Sequence, residues 1–182
     1  MAIHLACQAG GAQADLAIVK HLIKHYHALG VTHFHIAIHN NSIFEDKFAE
    51  EDIIIEKTLT GQFSEEKKNE FLNGVIKAHK DEWVLLCDQD EFHDFGEKTF
   101  AEFIAKYPEA NCVPGVLIDQ LSIGFPKINY ELPLEVQFPI RSNFTKQFLG
   151  ACVNKIAATK GVPVTLGHHR CAEPRIETPP IE

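Results

Sequence analysis

Apolar residues recur with two different periods in strict succession along the first hundred positions, and that succession leaves few folds open. Ile3-His4-Leu5-Ala6-Cys7 reads as a short strand. From Asp15 onward, Leu16, Val19, Leu22, Ile23, Tyr26 and Leu29 recur at helical spacing, and Gly30 stops that helix. Phe34, Ile36 and Ile38 then alternate with His33, His35 and His39, the pattern of a second strand. A strand–helix–strand unit implies a parallel pair joined by a right-handed crossover. The order then repeats. Ile53-Ile54-Ile55 is a short strand, Ser64 caps a helix that carries Glu65 and Glu66 in its first turn, and Phe71, Leu72, Val75 and Ile76 form its inner face. Trp83 to Cys87 is a strand, Glu97 to Tyr107 a helix closed by Pro108, and Cys112 to Ile118 another strand. Alternation of this kind predicts an α/β domain with a mostly parallel central sheet.

The remaining stretches read as connections. Gln8 to Ala12 is a loop and Asn40-Asn41-Ser42 a turn. Residues 120–150 carry Gly124, Pro126, Pro133 and Pro139 with little periodicity, and a long irregular segment inside a compact domain is more often functional than idle. Ile156-Ala157-Ala158 and Val162 to Leu166 read as late short strands. One domain is expected over residues 1–172, with an extended or loose tail over 173–182.

The most chemically informative segment is Glu82-Trp83-Val84-Leu85-Leu86-Cys87-Asp88-Gln89-Asp90-Glu91-Phe92. Val84 to Cys87 is apolar enough for a strand buried on both faces. Three acids follow within four positions, where that strand must end. Carboxylates repel one another and are costly to desolvate, so such a cluster calls for a cation. In extended backbone, Asp88 and Asp90 would point the same way. Hard oxygen ligands at the carboxyl end of a buried strand suit a divalent metal with open positions for phosphate.

Bulk properties exclude other classes. The chain has 182 residues, enough for one full core. A net charge of −8 argues against nucleic acid or an acidic membrane surface as a main partner. No apolar run approaches the roughly 20 residues of a membrane span. Met1-Ala2-Ile3-His4 lacks the basic and apolar regions of a secretory signal, so a cytoplasmic location is expected. There are five widely spaced cysteines and no C-x-x-C pair; Cys7, Cys87 and Cys112 sit inside apolar runs and read as small core residues.

The helix end His25-Tyr26-His27-Ala28-Leu29-Gly30-Val31, the strand His33 to Ile38, the turn Asn40-Asn41-Ser42 and the Trp83–Phe92 segment together resemble the glycosyltransferases of the GT-A fold, in particular a family-2-like group with an Asp-x-Asp-Glu-Phe motif. Leu134-Glu135-Val136-Gln137-Phe138-Pro139, Asn154-Lys155-Ile156 and Leu166-Gly167-His168-His169 look like the later motifs of that group, so the resemblance covers most of residues 3–169. It implies a single-domain, Rossmann-like GT-A sandwich. It also implies that Asp88 and Asp90 bind Mn²⁺ or Mg²⁺, which holds the diphosphate of a nucleotide-sugar donor. His168 or His169 would complete the metal shell, with His169 favoured on a Gly-x-His reading, and Lys155 would reach the diphosphate. Gln8, Asn40 and Ser42 would flank the nucleotide. The acceptor would be a carbohydrate hydroxyl, deprotonated in an inverting displacement by Asp119 or Glu91. The chain departs from the group at Gln8-Ala9-Gly10-Gly11, where relatives commonly carry an Asn-Glu pair, and at His39, where they often carry an acid.

Two other readings stand beside this one. A non-catalytic module of the same fold would bind the nucleotide-sugar, or a partner protein, without turnover. A histidine-rich metalloprotein would use His21 and His25, four apart on one helix face, with His33, His35 and His39 on one strand face.

Overall fold

The computed structural model describes residues 1–10, 16–39, 53–59, 62, 64–124 and 127–181. Eight strands are present among them: β1 (Ile3–Gly10), β2 (His33–His39), β3 (Ile53–Leu59), β4 (Trp83–Asp88), β5 (Cys112–Val116), β6 (Asp119–Leu121), β7 (Ile140–Ser142) and β8 (Asn154–Thr159). The helices are α1 (Leu16–Ala28), α2 (Glu65–Ala78), α3 (Phe100–Ile104), α4 (Leu134–Gln137) and α5 (Phe144–Phe148), with a 3₁₀ turn at Leu166–His168.

A six-stranded sheet runs in the order β3-β2-β1-β4-β8-β5. The β1–β2, β1–β4 and β2–β3 pairs are parallel, and β8 runs antiparallel to both β4 and β5. The expected mixed α/β domain with a mostly parallel sheet is therefore present. Winding leaves β1 toward β2 and β3, then resumes at β4 on the other side of β1. The right-handed crossover rule puts α1 and α2 on opposite faces of such a sheet.

Packing follows that placement. On one face Leu5, Cys7, Phe34, Ile36, Ile38, Leu85 and Cys87 meet Val19, Leu22, Ile23 and Tyr26 of α1. On the other, Ala6, Ala37, Val84 and Leu86 meet Phe71, Leu72, Val75 and Ile76 of α2. Successive strand residues point to opposite faces, which explains why β4 had to be apolar throughout. Each large side chain buried in this way stabilises the fold by about 1.5–3 kcal/mol. Val31 donates its N–H to the Tyr26 carbonyl at 3.0 Å, closing α1 beside Gly30. Ser64 caps α2 by accepting from the Lys67 N–H at 3.3 Å. Among the described residues no helix is long and apolar enough to cross a membrane.

Three expectations are corrected, and a fourth, the extended or loose tail, is narrowed. β1 continues through Gln8 to Gly10 rather than ending at Cys7, because β2 and β4 both offer it partners that far. α3 spans only Phe100–Ile104, since Thr99 and Glu102 form a capping box that starts it late. Residues 162–166 are not a strand but a loop and 3₁₀ turn. Pro163 has no N–H to give a ladder, so only an isolated antiparallel bridge forms, Val164 to Cys171, and the Asn73 amide of α2 holds Val164 on its other side, accepting from its N–H at 2.8 Å and donating to its carbonyl at 2.9 Å. The tail is extended but not loose: Val116 donates to the Ile181 carbonyl at 2.7 Å, Ile181 to Pro114 at 2.9 Å, and Thr178 to Cys112 at 3.1 Å, all along β5.

Candidate functional site

In a sheet wound outward from its middle, the crevice opens at the carboxyl ends of the two strands where the direction reverses. Here these are β1 and β4, ending at Gly10 and Asp88. Gly10 has φ of +119°, and a Cβ there would run into the backbone of His39, so the chain can pass only as glycine. Its N–H donates to Gln89 Oε1 at 3.0 Å, tying the two strand ends together. A cleft of about 850 Å³ opens beside them, with Asp90, Glu91, Lys155 and Asp119 in its wall.

The acids do not stay in extended backbone. β4 ends at Asp88, and Gln89-Asp90 is a turn. Glu91 closes that turn: its N–H donates to the Asp88 carbonyl at 3.1 Å, and its Oε2 accepts from the Asp88 N–H at 2.9 Å. The turn carries Glu91 back to Asp88. One oxygen of Asp88, one of Glu91 and one ring nitrogen of His168 then lie within 4.8 Å of one another. Two lysines balance the acids. Lys155 Nζ lies 3.2 Å from Asp88 Oδ2 and 3.2 Å from Glu91 Oε1, and Lys68 pairs with Asp88 Oδ1.

His168 is fully buried, and neither ring nitrogen has a hydrogen-bond partner. Its Nε2 stands 3.6 Å from Glu91 Oε2, beyond hydrogen-bonding range. The ring is aimed there by two successive left-handed residues, Gly167 at φ 68° and His168 at φ 45°. A non-glycine residue in that region is uncommon and costs backbone energy. Burial lowers the His168 pKa, more than the Glu91 charge raises it, so the imidazole is neutral with a lone pair available. Burial pushes Glu91 up, but the Lys155 charge and the hydrogen bond from the Asp88 N–H outweigh it and hold the carboxyl below its ordinary range. Burial lowers the Lys155 pKa, but the Glu91 and Asp88 charges raise it further. For Asp90, burial and the charges of Glu91 and Asp88 all raise the pKa.

The other expected site residues are placed as follows. Asp90 stands at the cleft and is not one of the three groups that converge. His169 turns away, with Nδ1 2.7 Å from the Asn154 carbonyl. Asp119 faces the cleft, but both its oxygens accept from Thr145, Oδ2 from the N–H at 2.8 Å and Oδ1 from the hydroxyl at 2.5 Å. Gln8 pairs in register with Asp88, and its Oε1 is buried without a hydrogen-bond partner. Asn40 and Ser42 lie outside the described residues. His21 and His25 do not share a site: His21 Nε2 meets the Asn129 carbonyl at 3.1 Å, and His25 Nε2 meets the His93 carbonyl at 2.9 Å. Lys68 was missed by the sequence reading, although its place one turn before Phe71 and Leu72 puts it on the inner face of α2.

No family model matches the chain, and no curated protein matches it. Among solved structures the chain is similar to a 4-diphosphocytidyl-2C-methyl-D-erythritol synthase, with a TM-score of 0.45 and 8% identity over 88% of this chain and 76% of that one. It is similar to the synthase of the same name from Anaerococcus prevotii, with a TM-score of 0.45 and 14% identity over 88% and 70%. It is also similar to residues 1–349 of TarS from S. aureus, with a TM-score of 0.44 and 12% identity over 88% of this chain and 47% of that one. At these values the functional reading rests on the chain's own residues.

Proposed function

We propose that this chain is a metal-dependent glycosyltransferase of GT-A type, moving a sugar from a nucleoside-diphosphate sugar to an acceptor hydroxyl with inversion. The observation that carries the reading is the buried His168 imidazole, unpartnered and facing two carboxylates at the winding reversal of the sheet. An orphaned ring nitrogen beside two hard oxygens is a donor set that fits Mn²⁺ or Mg²⁺. Asp88, Glu91 and His168 would hold the ion, with Asp90 at the cleft as a further oxygen ligand. When bound, such an ion supplies positive charge to the diphosphate oxygens as the sugar departs.

The chain's own residues do the rest. Lys155 lines the cleft while pairing with Asp88 and Glu91, so its ammonium would meet the same diphosphate as a point charge. Gln8 offers an unpaired side-chain oxygen to the nucleotide next to Asp88. Asp119 takes the acceptor hydroxyl proton on a carboxylate oxygen, as the acceptor oxygen bonds to the sugar carbon and the bond from that carbon to phosphate breaks. Glu91 is the poorer base, because its pKa is held low.

The test is a thermal-shift series on the full chain with each nucleoside diphosphate, with and without Mn²⁺ or Mg²⁺, followed by donor hydrolysis. Stabilisation that needs both nucleotide and ion, and is lost in Asp88→Asn, is expected. Absence of any ion-dependent nucleotide effect overturns the reading. A binding module without turnover is the second reading, favoured by the commitment of both Asp119 oxygens to Thr145. Ion-dependent nucleotide binding with no hydrolysis or transfer on any donor and acceptor tried would select it.

A further inference from the structure

The opposite end of the sheet carries a second cluster of metal-ligating side chains, independent of the cleft. His4 is the second residue of β1 and His35 the third of β2, while His79 follows the last turn of α2 and Glu82 immediately precedes β4. All four therefore sit at the amino end of the strands. The length of β4 separates them from Asp88, roughly 17 Å at about 3.3 Å per residue.

One ring nitrogen from each of His4, His35 and His79 lies within 4.8 Å of those of the other two. His4 Nδ1 and His35 Nε2 are 2.9 Å apart, and both side chains are buried, at 2% and 3% exposure. His4 stacks on His79 with ring centroids 3.9 Å apart. Glu82 Oε2 accepts from His4 Nε2 at 2.8 Å and from His79 Nδ1 at 3.2 Å. That carboxylate fixes two tautomers at once. His4 carries its proton on Nε2, so its Nδ1 lone pair accepts from the His35 Nε2–H at 2.9 Å, and an ion taking both nitrogens would release that one proton. His79 carries its proton on Nδ1 and keeps the lone pair on Nε2. A carboxylate that holds the outer N–H of an imidazole while the inner nitrogen stays basic is the usual support of a histidine metal ligand.

We propose that His4, His35 and His79 form a binding site for a zinc-class divalent cation, with Glu82 as the carboxylate that orients His4 and His79. Three imidazoles suit Zn²⁺, which takes nitrogen ligands at about 2.0–2.1 Å in tetrahedral geometry and leaves a fourth position for water. The oxygen-rich set at Asp88 suits the harder Mn²⁺ or Mg²⁺, so the two ends of the sheet sort ions by ligand type. The ion links β1, β2 and the end of α2, three elements distant in sequence, and stabilises the fold by binding to it alone.

The experiment is calorimetric titration of the chelator-treated full chain with ZnCl₂ and, separately, with CoCl₂. Thermal midpoints and the visible Co²⁺ spectrum are read alongside. The expected result is one equivalent bound in the wild type and in Asp88→Asn, with a raised midpoint and the strong visible bands of four-coordinate Co²⁺. His35→Gln and His79→Gln should each lose that binding, and Glu82→Gln should weaken it roughly 10–100-fold. His79 is only half-buried, so its variant keeps the test open if His35→Gln does not fold. Absence of Zn²⁺ binding in Asp88→Asn, or binding that survives unchanged in His79→Gln, overturns the proposal.

Discussion

Lys155 bridges Asp88 and Glu91, and replacing it tests the electrostatics of the cleft directly. Lys155→Met keeps the length and apolar stem of the side chain and deletes only the charge. Each ion pair spans 3.2 Å, which at an effective dielectric constant near 20 corresponds to about 5 kcal/mol of gross attraction. Desolvation of the lysine cancels much of this, and breaking a buried pair by removing one partner typically costs about 3–5 kcal/mol net. The Lys155 side chain is 19% exposed and Lys68 stays on Asp88, so the lower end, about 3 kcal/mol near neutral pH, is expected. The pH dependence gives a second signature. Glu91 has a folded pKa below its ordinary 4.5, so its contribution to stability is complete above that value and is lost as pH falls through the folded pKa. Without Lys155, the charge that lowers the Glu91 pKa is gone and this contribution shrinks. The gap between wild type and variant must therefore be widest above about pH 5 and narrow in acid. Urea unfolding in the presence of a chelator, followed by fluorescence of the buried Trp83, measures it. A loss below about 1 kcal/mol, or a gap that does not change between about pH 7 and pH 4, refutes the argument.

His93 is buried, and burial pulls its pKa down from 6.5 to about 3. The unfolded chain thus takes up a proton that the folded chain refuses, and stability should fall by about 2 kcal/mol between about pH 7 and pH 5; His93→Gln should show a correspondingly flatter pH profile in urea titrations. Asn73→Ala removes both hydrogen bonds to Val164, so it should cost about 2 kcal/mol and speed amide exchange of the segment leading to His168. Leu22→Ala opens a cavity between α1 and the sheet and should cost about 2–5 kcal/mol by equilibrium unfolding, without altering ion-dependent nucleotide binding.

The elements that the sequence revealed are those whose period is set by burial. The 3.6-residue period of α1 and the unbroken apolar run of β4 each report how many faces are covered, and both stand where expected. Order in space is another matter. Nothing in Asn154–Thr159 says that β8 inserts antiparallel between β4 and β5, because its residues would be equally apolar in a parallel setting. Around the candidate site the same division holds. The run of acids after Cys87 marks the place, but strand periodicity carried through Asp90 runs two residues past the end of β4. The carboxylate of Glu91 closes a turn on the Asp88 N–H, so Asp88 meets Glu91 and His168 and not Asp90. The choice between His168 and His169 depended on two left-handed residues in a row, and only the glycine of that pair announces itself in a sequence. Lys68 was visible as a lysine on an apolar helix face, but its acid lay twenty positions ahead on another element.

The segment from Ile176 to Ile181 lies along the outer rim of β5, its backbone bonded to that strand at several points. An outermost strand without such a cover presents a row of unpaired amides and carbonyls, a template on which a foreign strand can register. These few residues therefore act as a built-in chaperone for the sheet. Cleaved away, they would take the buried Ile181 out of the core and leave a sheet whose margin is adhesive, prone to growing intermolecular sheets.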